Sequence, residues 1–132
     1  MIGGMITEDK FEISEAKMEQ YRLSAAKRYA EAEHALQERY TRAWQVAQRA
    51  TGLLKTEFGA QRVVVFGSLA QSELFHARSD VDLAAWGIDE NFYYRAVARL
   101  LSLDPEISFD LVRMEDASPS LQATILRDGV EL

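Results

Sequence analysis

Between Gly4 and Gly52 the chain contains neither Gly nor Pro and is rich in Ala, Glu, Arg, Lys and Gln, the residues that cost least in a helix. From Tyr40 onward, Tyr40, Ala43, Trp44, Ala47, Leu54 and Phe58 recur at helical spacing. From Ile13 to Leu36 the stripe is thinner and made largely of small residues: Met18, Arg22, Ala25, Tyr29, Ala32 and Leu36. The pattern predicts helices over about 12–37 and 40–57, and a single continuous rod fits it too. With so few large apolar residues the first stretch gains little by packing, so it reads equally as a surface helix or as an oligomer or partner surface.

After Gly59 the texture changes. Arg62–Phe66 (RVVVF) is a short β-branched apolar run ending at Gly67, the pattern of a buried strand. Gly67-Ser68 and Leu69-Ala70-Gln71 predict a tight turn into a short helix, and His76–Ser79 a polar loop. Asp80–Trp86 (DVDLAAW) alternates as a second strand, with Val81 and Leu83 toward the core. Asp89 is placed to cap a helix over Asn91–Ser102, with Phe92, Val97, Leu100 and Leu101 as its apolar positions. Asp104-Pro105 breaks that helix, and Ile107–Val112 (ISFDLV) reads as a third strand. Ser118-Pro119 opens a last helix that Gly129 ends. No internal repeat or low-complexity segment is visible.

The chain has 132 residues, about one domain's worth. It has no cysteine, which excludes disulfides, thiolate catalysis and Cys-ligated zinc. No apolar run approaches the roughly 20 residues of a membrane helix, and MIGGMITEDKFE lacks the basic-then-apolar pattern of a secretory signal. A soluble, cytoplasmic protein with no membrane partner is expected. The net charge of −6 lies wholly in residues 59–132, because residues 1–58 balance to zero. An acidic half repels nucleic-acid phosphates, so no direct nucleic-acid role is expected. Clustered carboxylates do suit a hard cation.

Three features carry candidate chemistry. Gly67-Ser68 follows a buried strand, where glycine lets a ligand approach the backbone and the Ser68 hydroxyl can hold a phosphate oxygen; an ordinary turn is the alternative. Asp80 and Asp82, two apart on a strand, fall on one face, where a divalent cation would keep both ionised; two solvated acids at a strand end are the alternative. Asp110 sits among Phe109, Leu111 and Val112, where an acid is costly unless paired or liganded. It completes a three-carboxylate cluster if its strand neighbours Asp80–Trp86, or it pairs with Arg113 or Arg78. Taken together, a Gly-Ser cradle, an Asp-x-Asp and a later Asp suit nucleotidyl transfer, which needs charge neutralisation and in-line positioning. His34 and His76 have no partner at ligand spacing, which argues against zinc. No Gly-rich loop with Lys follows the strand, so this is not a P-loop protein.

The segment VVVFGSLAQSELFHARSDVDLAAWGI resembles the signature of the DNA polymerase β-like nucleotidyltransferase superfamily. The short length and the tail SPSLQATILRDGVEL make the chain most similar to the minimal nucleotidyltransferases (MNT), commonly the antitoxins of HEPN toxins. The resemblance covers about Phe58–Leu132, and residues 1–57 match only loosely. It implies an α/β (α+β) fold with a small mixed sheet flanked by helices, an N-terminal helical extension over 1–57 and a minimal nucleotidyltransferase domain over 58–132. It further implies that Gly67 and Ser68 grip a nucleoside triphosphate and that Asp80 and Asp82 bind Mg2+. Asp110 would act as base or share the metal. Where the family often reads Gly-Ser-x-Ala-Arg-Gly, this chain has Gln71-Ser72, which removes a positive charge near the phosphates.

The leading expectation is AMP transfer from ATP to a hydroxyl, by resemblance a tyrosine, of a cognate HEPN toxin. A non-catalytic antitoxin acting by contact is the second reading. A nucleotidyltransferase acting on a small-molecule hydroxyl is the third, and the substrate-binding domain it would need is absent from the pattern. Homo-oligomerisation through the N-terminal helices is compatible with all three.

Overall fold

Ser14 accepts the Lys17 N–H on its hydroxyl at 3.2 Å, and from this cap one helix, α1, runs over Glu15–Glu57. The structure, a computed structural model, describes residues 14–132. The continuous rod is thus realised instead of two helices; no Gly or Pro before Gly52 interrupts the backbone ladder. The expected start near residue 12 lies outside the described residues. The chain divides at Ala35/Leu36 into two units. In the first, every described residue is exposed, including Tyr21, Leu23 and Tyr29. Within-helix pairs there include Arg22–Glu19 and Lys27–Glu31, worth a few tenths of a kcal/mol each.

In the second unit α1 presents Ala43, Val46, Ala47, Ala50 and Leu54 at helical spacing, all buried. The sheet order is β3-β2-β1-β4. Strand β1 is Arg62–Phe66, β2 Val81–Trp86, β3 Phe109–Arg113 and β4 Val130–Glu131. β1 runs antiparallel to β2 and β4, while β2 and β3 are parallel. The parallel pair needs a crossover, and helix α2, Tyr93–Leu101, supplies it. Helix α3 covers Pro119–Asp128, with Ser118 accepting the Leu121 N–H as the cap residue.

Alternation splits the sheet's side chains between two cores. Val63, Val65, Leu83, Ala85 and Leu111 join the buried residues of α1 and α2. Val64, Ala84, Met114 and Ile125 form the smaller core on the α3 face, flanked by Phe66, Trp86 and Val112. The mixed sheet with flanking helices is the expected architecture. Three local differences have local causes. A three-residue 3-10 turn, Glu90–Phe92, precedes α2, and Asp89 caps that turn by accepting the Asn91 N–H. Phe92, in that turn, and Leu101 are exposed, and Ala96 and Leu100 carry the burial. Only the 3-10 turn Ser72–Leu74 follows Gly67-Ser68, so no α-helix starts from that turn. No helix among the described residues is long and apolar enough to cross a membrane.

Candidate functional site

Strand register brings Asp82 and Asp110 together, with Asp80 just ahead of β2. β1 ends at Phe66 opposite Asp82, and β2 begins beside β3 with Asp82 paired to Asp110. Asp82 and Asp110 stand two residues before Ala84 and Val112 in their strands, so both lie on the α3 face of the sheet, at the end where β1 leaves it. Asp80 immediately precedes β2 and is exposed; Asp82 is half-buried. Asp110 is exposed and has no ion pair among the described residues: Arg113 is engaged instead with Asp116 at 2.5 Å and with the Ile88 carbonyl at 2.7 Å. The acid that looked buried in an apolar strand therefore escapes the cost of burial by facing solvent.

Gly67 closes the site on the β1 side. Its φ is +71°, and a Cβ built there would overlap the Asp82 carboxylate. This is one position where the turn and the close approach both require glycine. Ser68 is the next residue of the turn that spans 67–70, half-buried, and its hydroxyl has no protein partner among the described residues. The turn offers backbone N–H groups as donors to an anion.

The electrostatics leave these acids short of positive charge. Burial, then the charges of Asp110 and Asp80, push the Asp82 carboxyl up to about 6. No Lys or Arg among the described residues pairs with any of the three acids. Their oxygens are hard donors that fit Mg2+. Among the described residues no three metal-capable side chains stand close enough to hold an ion unaided. That geometry still suits Mg2+, which takes one or two carboxylates and fills its shell with water and substrate phosphate.

Asp110 also borders a cleft of about 560 Å3 with Tyr93, Tyr94, Arg113, Ser118 and Leu121 in its wall. Tyr93 donates to the Leu111 carbonyl at 2.6 Å, fixing α2 on β3, while Tyr94 is 83% exposed. Their convergence on Asp110 depends on the crossover. Arg78, the other possible ion-pair partner of Asp110, is exposed and unpaired with it among the described residues, whereas Ser79 is buried.

The sequence profile of the family described as Polymerase beta, Nucleotidyltransferase matches residues 48–132, a span that holds all five candidate residues. Among curated proteins, none matches the sequence. Among solved structures, the chain is similar to a toxin–antitoxin complex with AMP-PNP, at TM-score 0.53 and 26% identity. That match covers 61% of this chain and 66% of the other, so the chain spans just under two thirds of that relative's length. Two variants of a toxin–antitoxin complex named MntA–HpeT share the fold. One has TM-score 0.55 at 24% identity, over 65% of this chain and 70% of that one. The other has TM-score 0.54 at 23% identity, over 64% and 69%.

Proposed function

The chain belongs to the polymerase β nucleotidyltransferase family, and from that premise we propose that it transfers AMP from ATP, with Mg2+, to a tyrosine hydroxyl of a cognate HEPN toxin and thereby acts as its antitoxin. The observation that carries this reading is the parallel β2–β3 register, which sets Asp82 against Asp110 beside Gly67. The relative with AMP-PNP supports a nucleoside triphosphate as donor and a toxin as partner.

In this reading the N–H groups of the 67–70 turn and the Ser68 hydroxyl hold phosphate oxygens. Asp80 and Asp82 hold Mg2+, and Asp110 serves as base or shares the ion. Bound there, Mg2+ neutralises charge on the triphosphate and on the departing pyrophosphate. The acceptor hydroxyl oxygen bonds to the α-phosphorus, the bond from that phosphorus to pyrophosphate breaks, and the hydroxyl proton passes to the Asp110 carboxylate. The cleft bounded by Tyr93 and Tyr94 gives the acceptor side chain a route to Asp110.

One observation favours a second reading, an antitoxin that acts by contact: Gln71-Ser72 leaves the phosphate turn without the family's usual Arg. Co-expression of a HEPN protein encoded beside this chain, with wild type or Asp110→Asn, separates the two. Wild type is expected to add AMP units to the toxin's mass and to silence it, and Asp110→Asn to do neither. An unmodified toxin silenced equally by both proteins overturns the enzymatic reading.

A further inference from the structure

Arg39 of α1 plays no part in the site described above, yet its guanidinium reaches both loops that deliver the carboxylates. Its Nη2 donates to the carbonyl of Ser79, the residue before Asp80, at 3.0 Å. Its Nη1 donates to the carbonyl of Glu106, four residues before Asp110, at 3.2 Å. The same loops are stitched by the Val81 N–H, which donates to the Ser108 carbonyl at 2.9 Å. Ser79 is buried, and its hydroxyl accepts the His76 N–H at 2.9 Å, so the peptide entering Asp80 is restrained from two sides.

Arg42, three residues along α1, differs in what it holds. It bonds Asp104 at 2.7 Å and Glu106 at 3.4 Å, both in the β3 loop alone. Arg39 spans the two loops, and its Nε is left buried without a partner. A planar fork with fixed donors can hold two carbonyls at a set separation; the compact ammonium of lysine cannot reproduce that.

We propose that Arg39 is a positioning residue: by holding the Ser79 and Glu106 carbonyls on one guanidinium it sets the spacing of Asp80 and Asp110 and so tunes the site for Mg2+. This rests on the reading of Asp80, Asp82 and Asp110 as the metal site. Mg2+ demands near-ideal octahedral geometry, whereas Ca2+ tolerates irregular shells. Loosening the carboxylates therefore weakens Mg2+ more than Ca2+.

The test is calorimetric titration of Mg2+ and of Ca2+ into the full chain as wild type, Arg39→Lys, Arg39→Met and Asp82→Asn, with metal-free thermal unfolding alongside. Arg39→Lys is expected to fold and to lose about 10-fold in Mg2+ affinity, in the range seen for residues that orient metal ligands, with a smaller loss for Ca2+. Arg39→Met should do the same more strongly. A purely structural arginine would lower the unfolding temperature and leave the Mg2+/Ca2+ ratio unchanged; that result overturns the proposal, and so does failure of both variants to fold. If Asp82→Asn weakens Mg2+ and Arg39→Lys does not, the metal site stands and only the role of Arg39 is lost. If Asp82→Asn binds Mg2+ like wild type, the site reading fails and this proposal falls with it.

Discussion

Asp104, in the loop before β3, and Asp82, at the lip of the sheet, are aspartates of one unit with opposite surroundings. Asp104 is 6% exposed, and burial by itself would raise its pKa. The N–H groups of Glu106 and Ile107 and the guanidinium of Arg42 outweigh burial and hold it below the ordinary carboxylate value. Asp82 is less buried, receives no hydrogen bond among the described residues, and faces two further acids; its pKa rises to about 6. The supply of partners, not the depth of burial, separates them. An acid that holds the fold together is satisfied by its own chain. An acid left unsatisfied beside others marks a place where the counter-charge comes from outside.

The strongest way to break this contrast is to neutralise each acid in turn. Asp110→Asn is expected to lower AMP transfer by about 10²–10⁴-fold, the span of a lost general base, and Asp82→Asn to lower it sharply as well, with folding retained in both. Single-turnover assays with labelled ATP measure it, and transfer within a few fold of wild type in both variants would remove these acids from the chemistry. Gly67→Ala attacks the same acid from the neighbouring strand. Its new Cβ overlaps the Asp82 carboxylate at a positive φ, so a loss of about 1–2 kcal/mol in stability and weaker Mg2+ binding are expected together. Unchanged Mg2+ affinity in a folded Gly67→Ala would show that the glycine serves only the turn.

Asp104→Ala should do the reverse. It strands the Arg42 Nε and the Glu106 N–H, and Arg42 is itself half exposed, so the expected cost is about 2–3 kcal/mol of stability. Chemical denaturation measures that cost, while transfer per folded molecule should stay near wild type. A large loss of transfer at full stability would place Asp104 in the site instead of beneath it.

What could be read from the sequence follows the range of the forces involved. The helical character of α1, the strands beginning at Arg62 and near Asp80, and α3 with its Ser118 cap are local matters of period and capping and stand as expected, while the choice between one rod and two helices was open in the pattern. The Asp82–Asp110 pairing was conditional on which strands are neighbours, and the parallel register supplies that condition. Strand β4 was not legible: two residues carry no period, and Val130 pairs with Val65 from the far end of the chain. The clasp of Arg39 on Ser79 and Glu106 spans 40 and 67 residues of sequence, and nothing about an arginine on a helix announces it. The Tyr93 and Tyr94 cleft likewise exists only once the crossover brings α2 beside β3.

The smallest expected effect sharpens the comparison through pH. In the metal-free protein the Asp82 carboxyl titrates near 6 in the fold against 3.8 when unperturbed. The folded state therefore holds this proton more tightly. Its contribution to stability is complete below pH 3.8 and is lost as pH rises through about 6. A shift of two units corresponds to about 3 kcal/mol, and partial exposure reduces this to about 1–2 kcal/mol. Asp104 acts the other way and in a different window: its depressed pKa adds stability above 3.8 that disappears only as pH falls below that value. Between pH 4 and 6 the Asp82 effect therefore stands apart from that of Asp104. Thermal unfolding of metal-free wild type should show a melting temperature that declines by a few degrees across that interval. Asp82→Asn should flatten the decline and melt higher than wild type at pH 7. Mg2+ at pH 7 should restore wild type and leave the variant unmoved, because the ion supplies the charge that the chain withholds from Asp82. A decline of equal slope in Asp82→Asn would assign it to other groups and end the contrast between the two aspartates.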